Sequence, residues 1–195
     1  MTLMSTPAVF LDRDGTVIEQ VHHLSSVEDV AVFPFAREAL QLLANRGYQC
    51  VIVTNQSAIG RGLLDETGLK AIHDEMLSQL GTENGLIDGL YFCPLMPISG
   101  NPRIVEFPDR KPGPGMLQRA SHDLNLSLER SWMVGDAISD MLAGRNAGCR
   151  GTVLVRTGYG RQTEADDPAI DHVTDNLLSA ARLIVSMDQT CTVRH

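Results

Sequence analysis

The sequence predicts a three-layer α/β/α fold built on a mainly parallel central sheet. Three observations predict it. Short apolar, β-branched runs recur along the chain between segments of helical apolar spacing, the alternation of a parallel sheet covered on both faces. Several of these runs end abruptly in acidic or hydroxyl residues, as strands do when their C-terminal ends feed ligand-binding loops. The intervals between runs are nearly filled by a helix and a loop each, which leaves no room for a large inserted cap, so residues 1–195 read as a single domain.

Each element follows from local pattern. Ala8–Leu11 is a buried-strand run that stops in Asp12-Arg13-Asp14-Gly15-Thr16. The polar interval Glu19–Phe33 reads as a long loop, with His22 and His23 as exposed loop residues. Pro34 opens a helix with Ala39, Leu40, Leu42 and Leu43 on its apolar face, closed by Asn45-Arg46-Gly47. Cys50–Thr54 is a second strand, followed by Asn55-Gln56-Ser57 and a loop to Gly62. Asp65 is the predicted N-cap of a helix carrying Leu69, Ile72, Met76 and Leu80. A strand over Asp88–Cys93 leads into an irregular, proline-rich stretch, Pro94–Pro114. A helix over Gly115–Leu124, a strand over Trp132–Gly135, a helix over Ser139–Ala147 and a strand over Thr152–Arg156 complete the predicted core. His172–Thr174 and Leu177–Val185 read as a last strand and helix.

Composition excludes some functions. A net charge of −8 without a basic run argues against a nucleic-acid binder, yet it allows a small phosphorylated ligand held in a local positive pocket. No apolar run reaches membrane-spanning length, and Met1–Pro7 lacks the pattern of a secretory signal. The cysteines Cys50, Cys93, Cys149 and Cys191 form no CxxC pair and read as reduced thiols of a cytoplasmic protein. We expect a monomer with no nucleic-acid or membrane partner. His73, His122, His172 and His195 carry no functional signal, and Trp132 reads as packing.

The chemistry concentrates at strand ends. Two carboxylates two residues apart, Asp12 and Asp14, can serve one site in different roles: the first as nucleophile and metal ligand, the second in proton transfer. An Asx-rich turn is the alternative for this segment alone. Thr54 closes the second strand, Arg110-Lys111-Pro112 precedes a helix, and Asp136 ends another strand with Asp140 four residues on. Taken singly, Thr54 could merely be a β-former, Lys111 a solvated lysine, and Asp140 a helix cap rather than a metal ligand.

Taken in order, DxDGT, a strand-terminal Thr, a Lys and GDxxxD resemble the haloacid dehalogenase superfamily of phosphohydrolases, with its Rossmann-like α/β/α fold, from about Val9 to Gly158. The strings FLDRDGT, VIVTNQSAIGRG, YFCP, RKPGPGML, VGDAISDM and VLVRTGYG resemble its capless histidinol-phosphate and heptose-bisphosphate phosphatases. The resemblance implies Mg²⁺ held by Asp12, Asp14 through its backbone carbonyl, and Asp136. It implies Asp12 as nucleophile, Asp14 as acid and base, Thr54 and the Asn55 amide on phosphoryl oxygens, and Lys111 orienting Asp12. Arg110 would bind substrate phosphate, with Ser57 and Arg61 near the substrate.

Two departures from that group stand out. Its structural zinc loop is not matched: Cys93-Pro94 is present, but Leu95 and Met96 stand where the histidine would be, and Phe107 and Asp109 stand where two cysteines would be. We therefore expect no zinc, with the loop held by its prolines and by Ile104, Val105 and Phe107. Val17, Ile18 and Glu19 follow DGT where heptose enzymes often carry an Asn. Three classes stay open: a phosphomonoesterase on a small sugar phosphate such as a heptose 1,7-bisphosphate, a phosphatase on another metabolite or a phosphorylated macromolecule, and a noncatalytic phosphate-binding protein.

Overall fold

Six short runs form one all-parallel sheet in the order β3-β2-β1-β4-β5-β6. The strands are β1 (Ala8–Leu11), β2 (Gln49–Asn55), β3 (Gly89–Cys93), β4 (Trp132–Gly135), β5 (Gly151–Val155) and β6 (His172–Thr174). This computed structural model describes residues 5–81 and 85–192, with side chains as far as Asp188, so the expectations for Cys191 and His195 lie outside the described side chains. The helices are α1 (Ala36–Ala44), α2 (Ser57–Gly60), α3 (Glu66–Leu80), α4 (Gly115–Asp123), α5 (Ile138–Ala147) and α6 (Leu177–Thr192).

The central strands β1, β2, β4 and β5 are apolar on both sides because both of their faces are covered. Val9 and Leu11 of β1 join a core with α1, α3 and α6, whereas Ala8 and Phe10 join another with α4 and α5. All four β1 residues are fully buried. At roughly 1.5–3 kcal/mol for each large apolar side chain withdrawn from water, this burial fixes the strand that delivers Asp12. Helix ends follow side-chain chemistry: the Asp65 carboxylate accepts the Gly68 N–H at 2.7 Å, and Gly81 ends α3 at φ 62°.

The differences from expectation are local. Helix α2 is too short for any periodicity to reveal it. Helix α6 runs past the predicted end at Val185 to Thr192. The Glu19–Phe33 interval is less loose than its polarity implied. Leu24 and Val30 are buried in the core, Ile18 bridges Val32, and the Gln79 amide of α3 accepts from Val32 N–H (3.0 Å) and donates to Val30 O (2.8 Å).

The proline-rich stretch needs a clearer correction. Ile104 and Val105 are about half exposed and cannot be what holds it. Polar contacts tie it down, alongside the prolines and the partly buried Phe107. The Glu106 carboxylate accepts the Ile98 and Ser99 backbone N–H groups, Arg110 donates to Leu95 O at 2.6 Å, Arg119 pairs with Asp109 at 2.5 Å, and Arg103 reaches Asp167. The Asp109 carboxylate is thus engaged by an arginine, and Cys93 is buried with its thiol pushed up by burial.

Candidate active site

Neighbouring strands end together, and this gathers distant residues. Leu11 lies beside Ile52 and Val134 in the sheet, and Asp12 N–H continues the ladder to Val134 O at 3.0 Å. Asp12, the end of β2 and Asp136 therefore emerge at one edge, where open α/β sheets bind ligands. Gly15 lets the chain turn away at φ 81°. A Cβ there would lie 2.1 Å from Asp136 Oδ2, so only glycine lets the turn approach this carboxylate so closely.

Oxygens of Asp12, Asp136 and Asp140 lie within 4.8 Å of one another, all three residues being buried. Lys111 Nζ sits against them, 2.5 Å from Asp12 Oδ1 and 2.7 Å from Asp140 Oδ1, and it also donates to Val53 O at 2.8 Å. Asp140 additionally accepts the Ala137 N–H at 3.0 Å, so it caps α5 and pairs with Lys111 at once. Asp136 Oδ2 accepts the Tyr159 N–H at 2.7 Å.

One cation cannot balance three carboxylates. Burial first, then repulsion from neighbouring carboxylates, raises Asp12 to about 7 against the pull of Lys111. The same causes raise Asp136 to about 9. Burial disfavours charge on Lys111, but Asp12 and Asp140 outweigh it and hold the ammonium. An all-oxygen donor set with uncompensated negative charge fits a hard divalent cation.

A second network sits beside the first. Arg13 is fully buried and grips Asp14 with a fork, Nε to Oδ2 and Nη2 to Oδ1, both at 3.0 Å. Its Nη1 lies 3.1 Å from His73 Nε2 on α3. Gln56 Nε2 donates to Asp14 Oδ2 at 3.0 Å and to Thr54 Oγ1 at 2.8 Å. The Asn55 side chain clasps the Lys111 backbone through two 3.1 Å bonds, one in each direction.

Of the predicted residues, Asp12, Asp14, Thr54, Asn55, Lys111 and Asp136 line one cleft of about 200 Å³, together with Asp140. Ser57, Arg61 and Arg110 do not line it. Arg110 faces a smaller neighbouring cavity of about 50 Å³ that also reaches Lys111. The sequence reading missed Arg13, Gln56 and His73, and it missed that His22 and His23 form part of the cleft wall. One signal for His73 was present: it falls on the Leu69, Ile72 and Met76 stripe of α3, where a polar side chain points inward.

Comparisons with known proteins give the family. A family described as HAD-hydrolase-like matches residues 109–180. A D-glycero-beta-D-manno-heptose-1,7-bisphosphate 7-phosphatase of Haemophilus ducreyi is 38% identical over 176 residues, covering 90% of this chain and 96% of the relative. A D-glycero-D-manno-heptose-1,7-bisphosphate 7-phosphatase of Thermosynechococcus vestitus is 34% identical over 192 residues, covering 93% and 96%. Among solved structures, a D,D-heptose 1,7-bisphosphate phosphatase from B. bronchiseptica, complexed with magnesium and phosphate, superposes with a TM-score of 0.80 at 32% identity, covering 93% of this chain and 99% of that one. With these carboxylates at these strand ends and relatives matched over nearly their whole length, the chain belongs to the heptose-bisphosphate phosphatase family of haloacid dehalogenase-like hydrolases.

Proposed function

We propose that this protein hydrolyses the 7-phosphate of D-glycero-D-manno-heptose 1,7-bisphosphate with the help of Mg²⁺. The observation that carries the reading is the buried Asp12–Lys111–Asp140 chain with Asp136 beside it and Asp14 at its edge. Asp12 attacks phosphorus and forms an aspartyl phosphate as the sugar oxygen leaves. Asp14 gives that oxygen a proton, then takes one from the water that frees phosphate. Lys111 holds Asp12 Oδ1 and adds positive charge where the phosphoryl oxygens gather, and Thr54 with the Asn55 backbone N–H completes that cradle. Asp12, Asp136 and the Asp14 carbonyl would hold the Mg²⁺, which when bound offsets the charge of nucleophile and phosphate.

The remainder of the substrate would extend past His22 and His23, with Ser57, Arg61 and Arg110 beyond the cleft as contacts for the non-reacting phosphate. We place the substrate among small cytoplasmic metabolites and the protein as a monomer, and the −8 charge supports neither a polynucleotide partner nor a basic membrane-binding surface. Steady-state kinetics test the assignment. Asp12→Asn should fold normally and lose at least about a thousandfold in kcat, since an amide forms no acyl phosphate. Arg110→Ala should mainly raise KM, more for the bisphosphate than for p-nitrophenyl phosphate. Substantial turnover by Asp12→Asn refutes the nucleophile. A bisphosphate handled no better than the aryl ester, with Arg110→Ala silent on both, refutes the heptose substrate.

A further inference from the structure

Arg13 lies between two aspartates in a loop, where a solvated side chain is expected, yet none of it is exposed. Withdrawing a guanidinium from water costs several kcal/mol unless its donors are matched. Here they are matched in one direction. Nε and Nη2 take the two oxygens of Asp14, and Nη1 takes His73. Arginine only donates, so His73 Nε2 must accept, which requires a neutral ring with its proton on Nδ1. Burial, and then the charge of Arg13, pushes His73 down to about 4 and keeps it in that form.

We propose that His73 and Arg13 are positioning residues for Asp14, acting in series. The His73 lone pair fixes the plane of the guanidinium, and the guanidinium fork fixes the plane of the Asp14 carboxyl group. Gln56 supplies a third donor to Asp14 and ties its position to Thr54. A carboxyl group on its own short side chain has two free torsions, whereas one held at both oxygens has none. Proton transfer needs such alignment: as the Asp12 oxygen bonds to phosphorus and the phosphorus–alkoxide bond breaks, the proton passes from Asp14 to the alkoxide. Water then donates a proton back to Asp14 as its oxygen displaces Asp12. The inference rests on the reading of Asp14 as the proton-transfer group.

Leaving-group dependence tests it, because simple packing damage does not distinguish leaving groups. The sugar alkoxide needs a proton to depart and p-nitrophenolate does not, while kcat/KM covers steps only as far as phosphoryl transfer to Asp12. His73→Leu should lower kcat/KM for heptose 1,7-bisphosphate about tenfold while leaving that for p-nitrophenyl phosphate within about twofold. His73→Gln, whose amide oxygen can accept from Arg13, should recover most of the loss. Arg13→Lys, which keeps the charge but not the fork, should cost about a hundredfold on the sugar phosphate. Equal losses on both substrates, or none on either, in folded His73→Leu and His73→Gln would overturn the proposal. If the wild-type protein hydrolyses only other sugar phosphates, the heptose reading fails alone, and the same ratio is taken with glucose 6-phosphate.

Discussion

Lys111 is the residue on which the site's charge balance turns. It arrives from a loop rather than a strand, and the Asn55 amide holds its backbone in place. Its ammonium is buried against two carboxylates. Lys111→Ala should therefore destabilise the metal-free protein by roughly 3–5 kcal/mol, the usual cost of leaving buried charges unpaired, read by chemical denaturation. On the proposed role of Lys111 at the phosphoryl oxygens, the variant's kcat should fall about a hundredfold or more. Asp12, Thr54 and Asp136 were legible because a strand end announces itself in sequence, and Asp14 and Lys111 because they take their places in the order of motifs that the chain resembles. Arg13, Gln56 and His73 were not, because Arg13 meets His73 only once α3 reaches the loop after β1, Gln56 meets Asp14 only across two strand ends, and no local spacing encodes either approach.

At the scale of elements, the proline-rich connection between β3 and α4 shows how a loop is ordered by its own polar groups. Glu106 acts as a clasp, its carboxylate closing over the amides of Ile98 and Ser99, while the apolar Ile104 and Val105 face water. Apolar residues in a short loop looked like anchors in sequence, but no core lies beneath them. Glu106→Ala should speed hydrogen exchange at the Ile98 and Ser99 amides by at least about tenfold, measured by mass spectrometry or NMR. Exchange unchanged from wild type would show that the prolines alone order the loop. The sheet itself was nearly complete in the sequence, since the central strands β1, β2, β4 and β5 bury both faces and so read as apolar runs. The short helix α2 was not, because four residues show no periodicity, and the stitched Glu19–Phe33 interval was not, because its order comes from Gln79 outside the segment.

For the whole molecule, the buried carboxylates link folding to metal and to pH. Asp12 and Asp136 titrate near 7 and 9 without metal, above the ordinary carboxylate range. A carboxyl whose pKa rises on folding stabilises the fold while protonated, and this contribution is lost as pH climbs through the folded value. The metal-free protein should therefore lose thermal stability as pH rises from about 4, the ordinary carboxylate value, until the last of this contribution is gone near pH 9, with Asp12 contributing up to about 7 and Asp136 up to about 9. Saturating Mg²⁺ should raise Tm by about 5–10 °C and flatten that slope, because a ligand at a hundred times its Kd contributes about 2.7 kcal/mol. Calorimetry with and without a chelator reads both effects. A Tm indifferent to Mg²⁺ at pH 9 would argue against metal binding at these carboxylates.

Helix α3 touches the two halves of the cleft at different points along its length. Through His73 it meets Arg13 beneath the reacting centre, and two turns later Gln79 stitches down the strip of chain that carries His22 and His23. The strip is fastened by Gln79 at Val30 and Val32, by the Ile18–Val32 bridge and by Leu24 in the core, so the exposed His22 can change without disturbing the fastening. The helix thus acts as a shared gauge, keeping one wall at a set distance from the chemistry while leaving that wall's surface open to variation. Selection for a different sugar could then act at such an exposed position, with the catalytic carboxylates and their supports untouched.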